Sequence, residues 1–312
     1  MAKAPRGPCQ KQPPMTTSTA LRPAVRAALS GLIDYAGLFP PAELSLDAAQ
    51  REYESARAGR HVWMLGRFIA RARQLPAASA AFAGPFSVIV EPGRDALREV
   101  ATCRASGASI ETLEIPLQRN IPADEIADAI GKLDGDIAAT GLHDLPIFLE
   151  VPRTERWPDL LSPAMETLAR AGLGAKLRCG GVVAEAFPTV DEVVEFIAAA
   201  NQAAVPFKAT AGLHHPIRHR DPTTGFMMHG FLNLLGAVAL APYSDRQTLR
   251  RIVAEEEPGA FSFDNAAFVW RAERVEIAEL KAERREHFIA YGSCSFSEPV
   301  EDLIALGILP PQ

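Results

Sequence analysis

The chain has 312 residues and a formal net charge of −6, and its pI is near 5.7. That balance leaves no basic footprint for nucleic acid or for an anionic membrane. A 48% apolar content with four cysteines suits one large α/β domain or two ordinary ones.

Residues 1–20, rich in Pro, Lys, Gln, Ser and Thr and without a signal-peptide apolar stretch, are expected to be a disordered tail, with Met15 as an alternative start. From residue 21 onward, β-type runs alternate with helix-type segments. The expected strands are 32–38, 62–70, 86–91, 112–117, 146–151, 175–179, 206–210 and 288–291. Between them lie helical patterns at 45–58, 94–106, 123–133, 158–171 and 190–203. Near-continuous apolar runs such as Phe-Ser-Val-Ile-Val suit parallel strands buried on both faces. Ser45 with Asp47, and Pro-Thr-Val-Asp-Glu at 188–192, look like helix starts. Eight β/α units over 21–312 predict a single (β/α)8 TIM-barrel domain. A doubly wound sheet is the other arrangement, but no Gly-x-Gly-x-x-Gly follows the first strand. Residues 225–286, between strands seven and eight, exceed one helix and predict a helical insertion that caps the barrel or contacts another copy. The apolar stretch at 231–241 is too short to span a bilayer.

The four cysteines (Cys9, Cys103, Cys179 and Cys294) have no paired spacing, so reduced thiols and a cytoplasmic location are expected. The chain holds 6 Lys against 26 Arg, yet two of the lysines, Lys176 and Lys208, sit near the ends of apolar strands. A buried amine can lose its proton, and only the neutral amine attacks a carbonyl. The bland alternative is a lysine paired with a buried carboxylate. In a TIM barrel the strand ends converge on the active site. Those ends hold Asp34 with Tyr35, Glu91, Glu114, Glu150, Lys176 with Arg178 and Cys179, Lys208 with Thr210, and Ser293 to Ser295. His214 and His215 follow the seventh strand, and with Glu150 they are an alternative metal set. Cys179 and Cys294 are expected to face the mouth as well.

The stretch Lys176-Leu-Arg-Cys-Gly-Gly181, Pro188-Thr-Val-Asp-Glu192 and Phe207-Lys-Ala-Thr-Ala-Gly212 resembles deoxyribose-phosphate aldolases and their class I aldolase relatives. In that family a Schiff-base lysine and a second lysine lie on successive strands. More weakly, Leu32-Ile-Asp34, Thr112-Leu-Glu114, Ile147-Phe-Leu-Glu150 and Tyr291-Gly-Ser-Cys-Ser295 resemble four further motifs of the family. Glu114 stands where the family has aspartate, Pro146 where it has a lysine, and Leu213-His214-His215 where it has Gly and Arg. The last helix opens Ser-Glu-Pro-Val-Glu-Asp, a poor place for a phosphate dianion.

The resemblance implies a cofactor-free lyase acting through a lysine Schiff base on a small oxo acid, hydroxy acid or sugar-like substrate. It makes Lys176 the nucleophile and Lys208 the cation that lowers its pKa, two roles that are interchangeable. Glu114 and Asp34 then relay protons and Glu150 orients the lysines. Arg178, Gly180, Gly181, Thr210, Gly212, His214, His215, Ser293 and Ser295 are the expected substrate contacts. A metal-dependent lyase, hydrolase or isomerase, and a non-catalytic binding scaffold, are the alternatives. Self-association as a homo-oligomer is also expected.

Overall fold

In the computed structural model, which describes residues 21–154 and 157–310, all eight expected runs form strands. The expected tail over 1–20 lies outside the described residues. The strands are β1 (Ile33–Tyr35), β2 (Leu65–Arg71), β3 (Phe86–Ile89), β4 (Ile110–Pro116), β5 (Ile147–Glu150), β6 (Gly174–Arg178) and β7 (Phe207–Thr210). Two short strands follow, β8 (His219–Arg220) and β9 (Met227–Met228), then β10 (Phe261–Phe263), β11 (Ala267–Trp270), β12 (Glu273–Glu276) and β13 (Phe288–Ser293). The helices are α1 (Pro23–Leu29), α2 (Leu46–Ala58), α3 (Leu75–Ala81), α4 (Arg94–Ala105), α5 (Ile126–Ala139), α6 (Trp157–Ala171), α7 (Val190–Ala203), α8 (Phe231–Leu240), α9 (Arg246–Val253), α10 (Ile277–Glu286) and α11 (Ser297–Ala305). Strands β1 to β7 and β13 close into a parallel barrel, in the order β1-β13-β7-β6-β5-β4-β3-β2.

Local chemistry starts the helices where the sequence signals. Ser45 caps α2 by accepting from the Ala48 amide at 3.3 Å. Thr189 and Glu192 form a reciprocal capping box on α7, at 3.2 Å and 2.6 Å. Alternate strand residues then divide between two environments. Phe207 turns out to meet Phe196 of α7, and Tyr291 stacks on Phe231 of α8 with ring centroids 5.1 Å apart. Their strand neighbours Lys208, Ala290 and Gly292 point the other way, into the barrel.

The segment 225–286 is not purely helical. It contains α8, α9 and α10, and also the antiparallel sheet β10-β11-β12. The strand pattern was hidden because 272–286 is charged along its length, and β12 alternates Glu273, Arg274 and Glu276 around a single buried Val275. Every residue of α8 is buried, so the apolar stretch lies against protein rather than solvent.

Asn233 locks α8 in place from inside. Its Nδ2 donates to the Ile252 and Glu255 carbonyls at 2.8 Å each, and its Oδ1 accepts from the Arg218 amide at 2.8 Å. Replacing Asn233 with alanine strands buried carbonyls and an amide. We expect a loss of about 3 kcal/mol, read as a lower urea midpoint with an unchanged m-value.

Candidate active site

The barrel interior carries a continuous chain of alternating charges. At the C-terminal mouth, Arg178, the last residue of β6, places Nε 2.8 Å from Glu150 Oε1. The other oxygen of Glu150, the last residue of β5, lies 3.1 Å from Lys176 Nζ. Lys176 Nζ is 2.9 Å from Glu114 Oε2, and the other oxygen of Glu114 is bonded to Lys208. Lys208 Nζ then meets Asp34 Oδ2 at 2.6 Å. Asp34 Oδ1 accepts from the Arg67 amide at 2.7 Å, and Arg67 Nε lies 3.0 Å from Glu111, the second residue of β4. The charges thus run from the strand C-termini to the opposite end. Exposure falls from 46% at Arg178 through 14% at Glu150 to 3% or less at Lys176, Glu114, Lys208 and Asp34.

Strand register puts these groups together. Glu150 is level with Lys176, and Lys176 with Lys208. Two side chains that the sequence analysis did not single out complete the site. Ser87 donates to Glu114 at 2.6 Å and accepts from Lys208 at 2.9 Å, while Thr112 lies 2.6 Å from Ser87. A lone hydroxyl inside the apolar run Phe-Ser-Val-Ile-Val was the available signal. Gly66 is needed because a Cβ there would stand 2.2 Å from Asp34 Oδ1.

Burial opposes ionisation of Glu114, but Lys176, Lys208 and Ser87 outweigh it and hold the carboxyl well below the usual range. Burial likewise opposes the Lys176 ammonium, but Glu114 and Glu150 outweigh burial and raise its pKa. This corrects the expectation that Lys208 would lower it, because a carboxylate sits between the two amines and shields one from the other. Glu150 orients only Lys176 and Arg178, whereas Lys208 is held by Glu114, Asp34 and Ser87.

The remaining expected residues surround the mouth. A Cβ on Gly180 would come 2.9 Å from the Gly212 Cα, and Gly212 has φ +68°, so the loops after β6 and β7 touch backbone to backbone. A Cβ on Gly181 would clash with Ala186. Thr210 ends β7 level with Arg178. Ser293 donates to the Ser295 carbonyl at 2.6 Å, and the Ser295 hydroxyl accepts from the Glu298 amide at 3.2 Å. The Ser293 proton is thus committed inside the turn into α11, and the Ser295 hydroxyl also lies 3.2 Å from that of Ser297.

Cys179 belongs to the hydrophobic core rather than the mouth, and burial pushes its thiol up. Tyr35 also points away from the site, donating to Glu52 at 2.7 Å. Glu91 is an exposed partner of Arg71 at 3.9 Å, apart from the chain of charges. The alternative metal set does not assemble. His214 faces Glu298 at 3.5 Å, His215 lies 2.5 Å from Asp302, and Glu150 is held by cations. Among the described residues no group of three or more His, Cys, Asp or Glu is placed to hold a metal ion.

No family model and no curated protein matches the chain. Among solved structures, the fold is similar to the deoxyribose phosphate aldolase of Aeropyrum pernix, with a TM-score of 0.50 and 10% identity. That match covers 90% of this chain and 93% of the aldolase. Mandelate oxidase structures align at 14% and 15% identity with a TM-score of 0.37, covering 77% and 73% of this chain and 84% and 76% of theirs. The protein is a TIM barrel that shares its fold with this aldolase, and no helix among the described residues is long and apolar enough to cross a membrane.

Two outcomes follow from the charges. Glu114→Ala leaves two ammonium groups facing each other in the interior and is expected to cost about 3–5 kcal/mol in chemical denaturation. His214 is opposed by burial, but Cys294 and Glu298 raise its pKa from 6.5 to about 9. A group raised on folding contributes fully below its unfolded value, and that contribution fades as pH rises through the folded one. Urea stability should therefore fall between pH 6.5 and 9 more steeply in the wild type than in Glu298→Gln. Equal slopes would show that Glu298 does not hold the charge.

Proposed function

We propose that the protein is a lyase of the class I aldolase type, making or breaking a carbon–carbon bond beside a carbonyl through a Schiff base on Lys176. The observation that carries this reading is the register-matched pair Lys176 and Lys208 on either side of one buried carboxylate, Glu114. Lys176 is the better nucleophile of the two, because it lies next to Glu150 on the mouth side.

The raised pKa of Lys176 means that the free protein holds an ammonium. Attack therefore begins with proton transfer from Nζ, and Glu150, the carboxylate nearest the mouth, is placed to receive it. The neutral amine adds to the carbonyl carbon, Glu150 returns the proton to the resulting hydroxyl, and loss of water leaves an iminium. This cation replaces the ammonium charge for charge, so Glu114 and Glu150 stabilise it as they stabilised its precursor. Lys208 stays protonated between Glu114 and Asp34. Glu114 takes and returns the α-proton through the enamine, and its basicity rises whenever one of its lysines gives up charge.

The internally bonded turn at Ser293–Ser295 and the acidic start of α11 favour a non-phosphorylated oxo acid, hydroxy acid or sugar-like substrate. Arg178, half exposed at the mouth, is the partner for its carboxylate. Thr210 and the close glycine loops 180–181 and 212 would line the mouth. Assembly of several copies is part of the proposal, by likeness to the aldolase described as tetrameric.

A second reading, a barrel whose charges serve only the fold, is favoured by the full pairing of Lys176. The two readings separate cleanly. With pyruvate or acetaldehyde as probe, borohydride should add covalent mass to the peptide carrying Lys176, and exhaustive chelation should not prevent it. Lys176→Arg should abolish the adduct with the fold retained by circular dichroism. With a substrate in hand, Glu114→Gln should lower kcat by about 10²–10⁴-fold. No adduct with any small carbonyl, in a folded wild-type protein, would leave the scaffold reading standing.

A further inference from the structure

A second cluster of reactive side chains stands at the same mouth, outside the chain of lysines and carboxylates. Cys294 follows β13 and lies against His214 from the loop after β7, with Sγ 3.7 Å from Nδ1 and 4.0 Å from Nε2. Glu298 of α11 brings Oε2 to 3.5 Å from the same Nδ1. Thiol, imidazole and carboxylate come from three separate segments and meet on one ring. We propose that Cys294, His214 and Glu298 form a nucleophilic thiol centre at the barrel mouth that takes small aldehydes reversibly, independent of Lys176.

The thiolate is the nucleophilic form of a cysteine, and an imidazolium within reach of its sulfur can balance that charge. Burial works against the His214 cation, but Cys294 and Glu298 together raise it to about 9, so the ring carries its proton at neutral pH. Facing groups do not compete for that role. Tyr35 of β1 is kept un-ionised by burial and by Glu52, and Asp302 of α11 is taken by His215. Addition across a C=O bond needs a nucleophile and a proton donor within one reach, and the pair supplies both. Sulfur bonds to the carbonyl carbon, the π pair moves to oxygen, and the imidazolium proton passes to that oxygen. The product is a hemithioacetal beside a neutral imidazole, with nothing oxidised and no group expelled.

The chain supplies its own comparisons. Cys294 is itself buried, at 7% exposure, while Cys179 lies in the core and Cys103, half-buried on α4, is raised by burial and by Glu99. Among the described residues, neither Cys179 nor Cys103 has a histidine partner.

The test is site-resolved alkylation of the full chain with iodoacetamide at pH 7, read by peptide mapping. Cys294 should react at least about tenfold faster than Cys103, and His214→Asn should remove most of that advantage. Glycolaldehyde should slow labelling of Cys294 but not of Cys103. Borohydride reduction of the same samples reports whether Lys176 has taken the aldehyde. Protection of Cys294 without a Lys176 adduct supports the centre. Labelling no faster than Cys103, indifference to His214→Asn, or protection only in step with a Lys176 adduct overturns it. Glu298→Gln gives a milder second variant, expected to slow Cys294 with the fold unchanged, and no slowing would count against the proposal.

Discussion

One carboxylate decides what the barrel interior can be. Two ammonium groups on adjacent strands at the same level would repel across the low-dielectric centre, and Glu114 lies between them with one oxygen for each. Each contact is worth roughly 5 kcal/mol at an effective dielectric of about 20, and each buried ion costs several kcal/mol in lost hydration. The two sides nearly cancel, which makes the network poor as a stabiliser and intolerant of any missing member. Ser87, Thr112 and the amide of Arg67 matter for that reason, because they satisfy lone pairs that the lysines leave over.

The same arithmetic bears on reactivity. A site that binds a cation at Lys176 with two carboxylates resists the neutral amine, yet it suits any intermediate that restores the charge. In the proposed Schiff-base reaction the network would oppose the first proton transfer and favour formation of the iminium. Access shapes this further, since Arg178 and Glu150 are open to the mouth while Lys208 and Asp34 are closed off.

Periodicity and strand-end position made the barrel and its five central charges legible in the sequence. The eight strands read as apolar runs because both faces of most of them are covered, and Asp34, Glu114, Glu150, Lys176 and Lys208 stood out against that background. β2 was the hardest to read, since Leu-Gly-Arg-Phe-Ile-Ala-Arg carries a glycine and two arginines where apolar residues would be expected. The structure explains them, as Gly66 makes room for Asp34 and Arg67 bonds to it. Pairing was not legible. Which amine meets which carboxylate depends on shear around the barrel, so the sign of the Lys176 shift could not be read from strand ends. Cys179 and Cys294 looked alike in sequence, and only side-chain direction sent one to the core and the other to His214. The β10-β11-β12 sheet escaped because its strands are short and one of them is mostly charged.

The order of the charged residues along the chain has a consequence for how the barrel forms. Its first four strands contribute three carboxylates and one guanidinium to the chain of charges, namely Asp34, Glu111, Glu114 and Arg67. Its last four contribute Lys176, Lys208, Arg178 and a single carboxylate, Glu150. Neither half neutralises all of its own charges, and each has an excess of the sign that the other is short of. Closing the barrel therefore sets two surfaces of opposite net charge against each other, and each serves as the other's counter-ion.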